Sequence, residues 1–175
     1  VVADWGGIPI WPYYSYAQAV VAKTIGSMGE TQHTQFQLAL GDNFYLTGVE
    51  NDNDARFKKT FEDVYTASSL QTPWYVIAGN HDHYGNVTGE IAYSKKSPRW
   101  KFPSLYYTIK YRLSDGTDVD FVMIDTVSLC GNTRDVEQAS FMEYYTAESH
   151  EPQGPKDVEA AEEKWTWLEQ QLKTS

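Results

Sequence analysis

The sequence predicts an α/β fold, and three observations carry that prediction. Short runs of β-forming residues alternate with longer segments of helical period, the order expected when strands are joined through helices. The run at residues 74–78 is unbroken apolar sequence rich in β-formers, the pattern of a buried strand. Three strand candidates end in polar signatures, and open α/β sheets bind ligands beyond the carboxyl ends of their strands.

The elements follow in order. Val1-Val2-Ala3 reads as the last residues of a strand running into Asp4-Trp5-Gly6-Gly7. Strands usually run about 5–6 residues, so missing upstream sequence is expected. The start at Val1 rather than Met reads as processing or truncation. Ser15-Tyr16-Ala17-Gln18 resembles a capping box opening a helix, with Ala17, Val20, Val21, Ile25 and Met28 as its apolar face. Residues 36–40 form a short strand that stops at Gly41-Asp42. Phe57, Phe61 and Val64 mark a second helix. The strand at 74–78 ends at Gly79-Asn80, and residues 86–95 form a third helix. Residues 106–113 and 119–124 flank the turn signal Ser114-Asp115-Gly116, an antiparallel hairpin. Residues 132–154 lack a period and carry several acids, an exposed loop near the upper length for compact domains. After Pro155, the residues Val158, Ala161, Trp165, Leu168 and Leu172 step by three and four, one stripe of a last helix. A further strand is expected past Ser175.

At 175 residues the chain is long enough for one domain with a substantial core. Its 14 Lys+Arg against 24 Asp+Glu give a net charge of −10, which argues against a nucleic-acid partner. No apolar run approaches the roughly 20 residues that span a bilayer. The 6 Trp, 13 Tyr and 7 Phe are rings that are usually buried or functional. The basic cluster Lys95, Lys96, Arg99 and Lys101 reads as a solvated face, and His33 and His150 as exposed. Cys130 is the single cysteine, either reduced and buried or paired outside this sequence. Asn86-Val87-Thr88 is a glycosylation sequon compatible with secretion, although such triplets also arise by chance.

The strand ends offer Asp4; Asp42 and Tyr45; and Asn80-His81-Asp82-His83. Carboxylate, phenolate, amide oxygen and imidazole are hard or borderline metal ligands. A carboxylate can bridge two cations, and a phenolate favours a hard ion such as Fe(III). Two metals would give an acidic protein the positive charge that a phosphate substrate needs. Each motif alone also reads as an ordinary turn, since Gly, Asp and Asn favour turns.

Together, Asp4-Trp5-Gly6, Gly41-Asp42-Asn43-Phe44-Tyr45 and Gly79-Asn80-His81-Asp82-His83 resemble the first three of five metal motifs of the purple acid phosphatases, a family of binuclear metallophosphoesterases. The likeness is greatest to the small tartrate-resistant members of animals. Asp4 to Asp42 and Asp42 to Asn80 each span 38 residues, much as in those proteins. The Tyr three places after Asp42 separates purple acid phosphatases from other metallophosphoesterases. The resemblance covers most of the chain and is weakest over residues 132–154.

The resemblance implies a four-layer αββα sandwich, with residues 1–175 as the N-terminal part of a single catalytic domain. By position, Asp4 and Tyr45 would bind Fe(III), Asp42 would bridge, and Asn80 would bind a divalent ion (Fe, Zn or Mn). His81 would be catalytic, contacting substrate phosphate and helping protonate the leaving group. Asp82 could orient that imidazole or serve the turn. Asn86 matches a glycosylated position, and Cys130 a cysteine whose disulfide partner lies in the second half. These features imply a secreted or lysosomal enzyme. The last two motifs, which carry three His ligands, have no counterpart here, so the C-terminal half of the same enzyme is the expected partner. Residues 132–154 match a loop over the active site, either a lid carrying Glu137, Glu143, Glu148 and Glu151 or a plain surface loop. The implied reaction is hydrolysis of phosphate monoesters, on small phosphorylated substrates or phosphoproteins. The alternatives are a phosphodiesterase or nucleotidase of the same superfold, and an inactive, partner-dependent fragment.

Overall fold

The computed structural model describes residues 1–132 and 154–174, and the chain divides into two compact units, Val1–Ser104 and Leu105–Ser175. The segment expected as a lid or a plain surface loop, with Glu137, Glu143, Glu148 and Glu151, lies outside the described residues, as does His150. Among the described residues, no helix is long and apolar enough to cross a membrane.

The first unit holds a parallel sheet of β1 (Gln37–Leu40), β2 (Trp74–Ile77) and β3 (Trp100–Lys101), in that order. Gln37 lies opposite Trp74 and Leu40 opposite Ile77. The short apolar runs suit a buried parallel sheet, and Ala39, Trp74, Val76 and Trp100 are fully buried. Val2 bridges Ala39 in parallel, with Val2 N–H donating to Leu38 at 2.8 Å and Leu40 N–H to Val2 at 2.8 Å. The expected strand end at residues 1–3 is therefore present as a single bridge. β3 carries no long apolar run of its own, and sequence reading missed it.

Helix α1 (Tyr16–Gln32) starts where Ser15 predicts, its hydroxyl accepting from Gln18 N–H at 3.0 Å. Its buried face is not the predicted one. Gln18, Ala22, Gly26 and Gly29 are buried, while Ala17, Val20, Val21 and Met28 are exposed. Close approach is the reason. A Cβ on Gly26 would stand 2.6 Å from Ala67 Cβ, and one on Gly29 2.9 Å from Ser69 Oγ. Only small residues fit against the 3-10 turn Ser68–Leu70 and the Ala67 before it.

The second predicted helix is a π-helical segment, Phe57–Glu62. It delivers Phe57 and Phe61 into an aromatic core with Trp5, Phe44, Tyr65, Trp74 and Trp100. The Trp5 ring centre lies 5.3 Å from Tyr65, 5.5 Å from Trp74 and 5.8 Å from Phe61. Such pairs add about 0.5–1.5 kcal/mol each beyond burial, and they account for the aromatic richness. Arg99 departs from the predicted solvated face. It is buried, paired with Glu62 through Nε and Nη2, donates Nη1 to Tyr65 O at 2.7 Å, and lies 4.4 Å from the centre of the Phe61 ring. Burial against Phe61 and Glu62 outranks its clustering with lysines.

Two short helices, α2 (Asn80–His83) and α3 (Val87–Tyr93), complete the unit. Asn86 caps α3, its Oδ1 accepting from Gly89 N–H at 3.0 Å.

In the second unit β4 (Tyr107–Arg112) and β5 (Asp118–Met123) form the predicted hairpin, with Tyr107 opposite Met123 and Arg112 opposite Asp118. Gly116 turns it with φ +90°. Asp125 caps the short helix α4 (Thr126–Cys130). Helix α5 (Val158–Thr174) occupies its predicted place, but its stripe is rotated. Ala161 is buried, Trp167 meets Tyr106 at 4.9 Å, and Gln171 accepts from Thr108 at 3.0 Å. Val158, Trp165 and Leu172 are exposed. The hairpin offers a ring and a hydroxyl, so it selects Trp167 and Gln171 over the purely aliphatic line.

Candidate metal centre

Three strand ends of the first unit converge. Asp4 follows the Val2 bridge with φ +54°, Gly41 and Asp42 follow β1 with φ +93° and +48°, and Gly79 precedes α2 after β2. Asp4 N–H donates to Gly41 O at 3.2 Å and Gly6 N–H to Asp42 O at 3.2 Å, which ties the first turn to the second. The second and third turns touch backbone to backbone. A Cβ on Gly41 would stand 2.6 Å from Gly79 N, and one on Gly79 would stand 2.3 Å from Asp42 Oδ1. Glycine at both strand ends is thus a packing requirement as well as a turn preference.

The polar side chains meet on this frame. The Tyr45 hydroxyl lies 2.7 Å from Asp4 Oδ1 and 3.0 Å from Asp42 Oδ2, so its one proton serves one carboxylate at a time. Burial, the hydrogen bond to Asp4 and the negative charges of Asp42 and Asp4 push its ionisation far above the ordinary phenol range. A cation among these oxygens would act in the opposite sense. Asp42 Oδ1 accepts from His81 N–H at 3.1 Å. Asn80 opens α2, half-buried between Gly79 and His81. The His81 ring is buried, with Nδ1 2.6 Å from Leu46 O and its centre 4.5 Å from that of Tyr45. A carbonyl only accepts, so Nδ1–H is the donor of this bond.

Two carboxylates and a phenol converging within 3.0 Å fit a hard cation. Among the described residues no cluster of three His, Cys, Asp or Glu side chains forms, so the candidates stand as a mixed set of carboxylate, phenol and amide oxygens. Asp4, Asp42, Tyr45, Asn80 and His81 belong to one loop cluster. Asn86 lies apart from them, exposed at the start of α3, with Nδ2 donating to Glu50 O at 3.0 Å. Cys130 is exposed at the end of α4, so it is not the buried thiol of the alternative reading. His33 is exposed, as expected, in left-handed conformation at the end of α1.

Beneath the cluster lies a buried polar layer that sequence reading missed. Asp82 accepts from Asn43 N–H at 3.0 Å, Phe44 N–H at 3.1 Å, Gly79 N–H at 2.8 Å and Asn43 Nδ2 at 3.1 Å. It holds the second and third loops together, and Leu46 O meets the His81 ring instead. Asn43 donates Nδ2 also to Ile77 O at 2.9 Å and Glu90 Oε2 at 3.2 Å, and accepts from Trp5 Nε1 at 3.1 Å. Glu90 is fully buried beside Asp82, and burial with the Asp82 charge pushes its carboxyl well above the usual range. Burial raises Asp82 as well, to about 7, despite its four N–H donors; once Asp82 ionises, its charge holds the proton on Glu90. A Gly-Asp-Asn turn hints at nothing of this, and Glu90 sits on a helix with no marker of its partners.

The sequence profile of the calcineurin-like phosphoesterases matches residues 1–172. The chain belongs to this family. Tartrate-resistant acid phosphatase type 5 of Homo sapiens is 45% identical to this calcineurin-like phosphoesterase over 173 residues, which cover 98% of the chain and 50% of that protein. Purple acid phosphatase 7 of Arabidopsis thaliana is 35% identical over 126 residues, 72% of the chain and 36% of that protein. The solved structure of "GAP50 the anchor in the inner membrane complex of Plasmodium" superposes with a TM-score of 0.62 over 83% of this chain and 45% of that one. At 24% identity that likeness shows the fold alone. The resemblance read from the three motifs holds, and so does the α/β class. The phosphoesterase chain spans about half the length of the curated relatives it matches.

Proposed function

We propose that the protein carrying this chain is an acid phosphatase that hydrolyses phosphate monoesters, on small phosphorylated substrates or phosphoproteins. The observation that carries this reading is the meeting of the Tyr45 hydroxyl with Asp4 and Asp42. A phenol against two carboxylates suits Fe(III), whereas a metallophosphoesterase without that phenol would point to the phosphodiesterase or nucleotidase alternative. Asp4 and Tyr45 would hold the ferric ion, Asp42 would bridge, and Asn80 would hold a divalent Fe, Zn or Mn. When bound, the two cations supply the positive charge and Lewis acidity that phosphoryl hydrolysis needs.

The chain's own residues then have definite tasks. Asp42 keeps one oxygen toward Tyr45 and the other toward α2, an arrangement fitted to two neighbouring ions. His81, oriented through Nδ1, presents Nε2 to hold or give a proton near the leaving oxygen. Asp82 fixes the loops that carry these groups. Asn86 is exposed and available for a glycan, and Cys130 is exposed and available for a disulfide to the C-terminal half of the enzyme. Both features support a secreted or lysosomal setting.

The test is the full-length protein with Tyr45→Phe. Its iron-dependent visible absorption is expected to vanish. An unchanged band in the variant overturns the ferric assignment. The exposed Val20, Val21 and Met28 on α1, and Val158, Trp165 and Leu172 on α5, favour a second reading for the 175-residue chain by itself, a partner-dependent piece without activity. Turnover of a simple phosphomonoester by the isolated chain would refute that second reading.

A further inference from the structure

We infer that Arg56 is a positioning residue for the candidate iron half of the site, fastening the loop that follows Asp4 and the loop that carries Tyr45 to one buried cation. This rests on the reading of Asp4 and Tyr45 as metal ligands. Arg56 is 3% exposed. Its Nη2 donates to Gly7 O and to Tyr45 O, and its Nη1 donates to Gly48 O. Gly7 lies three residues past Asp4, and the second acceptor is the backbone of Tyr45 itself. Three carbonyls from two irregular loops, with no partner in any sheet, are thereby satisfied by one side chain.

The partners are uncharged, which sets Arg56 apart from an ordinary ion pair. Its charge is balanced at a distance by Asp54 and Asp82, while burial lowers its pKa to about 10. It therefore stays protonated throughout the acidic range. The Phe44 ring lies 5.3 Å from its guanidinium carbon, a cation–π contact. The anchor is rigid because Arg56 is followed by Phe57, which is buried in the aromatic core. A line of contacts thus runs from the core through Phe57 and Arg56 to the backbone at Gly7 and Tyr45. Lysine cannot replace it, since a single ammonium on a flexible stem lacks the rigid planar fork that reaches three acceptors.

A matched control exists in the same unit. Arg99 is also buried, also bonds backbone carbonyls, and lies against an aromatic ring, but its partners are Glu62, Tyr65 O and Leu70 O. It touches none of the ligand loops.

The experiment compares Arg56→Lys, Arg56→Gln and Arg99→Lys in the full-length protein with wild type. The readouts are amide hydrogen exchange over residues 4–7 and 45–48, competition of a chelator for iron, and the visible iron–phenolate band. All three variants are expected to melt earlier. Only the Arg56 variants are expected to speed exchange in both loops, shift the band, and weaken iron retention by about 10–100-fold, the usual effect of losing a group that orients metal ligands. Arg56→Gln, which keeps two donors, covers the case in which Arg56→Lys does not fold. Unchanged exchange in both loops overturns the proposal, and so does unchanged iron retention, or an equal loss in Arg99→Lys. A wild-type protein that binds no iron refutes the ligand reading and with it this role. In that case the exchange comparison still separates the two failures, because loop fastening by Arg56 is read without metal.

Discussion

Replacing Asn43 by leucine tests the buried layer under the candidate metal centre. Asn43 is fully buried, and its side chain bonds Trp5 Nε1, Ile77 O, Asp82 and Glu90 at 2.9–3.2 Å. Leucine keeps the branched four-atom side-chain shape but is bulkier, so a crowding cost adds to the loss of hydrogen bonds. The Trp5 indole N–H and the Ile77 carbonyl lose these bonds, and each buried group left unpaired costs about 1–3 kcal/mol, so these two alone cost about 2–6 kcal/mol. That compares with a total domain stability of about 5–15 kcal/mol. The backbone bond from Asn43 N–H to Asp82 remains. Urea unfolding of the full-length protein, followed by tryptophan fluorescence, measures the difference. Asn43→Asp should be worse still, and increasingly so as pH rises, because it sets a third carboxylate against Asp82 and Glu90. A loss under about 1 kcal/mol for Asn43→Leu would mean that water reaches these groups, and the reasoning fails.

Gly79→Ala is expected to destabilise by about 1–3 kcal/mol through crowding, since the new Cβ falls 2.3 Å from Asp42 Oδ1 and 2.4 Å from Asp42 N. Its φ of −100° is ordinary, so a wild-type melting temperature would show that the loops are not in backbone contact. Glu90→Gln should flatten the pH dependence of stability. Burial raises the Glu90 carboxyl above 4.5 in the fold, so its contribution is complete below that value and is lost as pH rises through the folded pKa. Asp82, raised to about 7 by burial, acts in the same direction. Wild type should therefore be more stable at pH 5 than at pH 8, and an equal slope in the variant refutes the assignment. Ser15→Ala removes the cap of α1 and should cost about 1 kcal/mol, with no change in metal retention.

The residues that approach one another at the site were legible because each announces itself locally. An apolar strand followed by Gly41-Asp42 or Gly79-Asn80 is a strand end with a turn, and with the end at Asp4 three strand ends in one α/β unit have one place to converge. Tyr45 carried the most information, through the resemblance to purple acid phosphatases that its place three residues after Asp42 marks, and its hydroxyl lies against Asp42. The helix faces were not legible. On α1, periodicity favours Val20, Val21 and Met28, but Ala67 admits only Gly26, and Ser69 only Gly29. On α5, the partner is a hairpin edge with Tyr106 and Thr108, which selects Trp167 and Gln171. In both cases the tertiary neighbour, not amphipathicity, decides the face. Arg99 illustrates the same limit, since its place in a basic run says nothing of Glu62, which lies 37 residues away in sequence.

The division of charge explains why the buried layer escaped notice and what it accomplishes. Asp82 is matched by four N–H donors and by the nearby Arg56 cation, and Glu90 holds its proton. The layer is thus close to neutral, and such balanced groups carry no sequence signature. Asp42 has one such donor, the His81 N–H, and Asp4 and Asp42 share the Tyr45 phenol as a partner. Where a cation would sit, the negative charge of the site is therefore offset less than that of the layer beneath. Had the layer beneath carried a free positive charge, it would have opposed metal binding. Had it carried a second free carboxylate, the fold itself would have borne the desolvation. A neutral buried layer under a negative cluster lets the loops be rigid and cation-attracting at once.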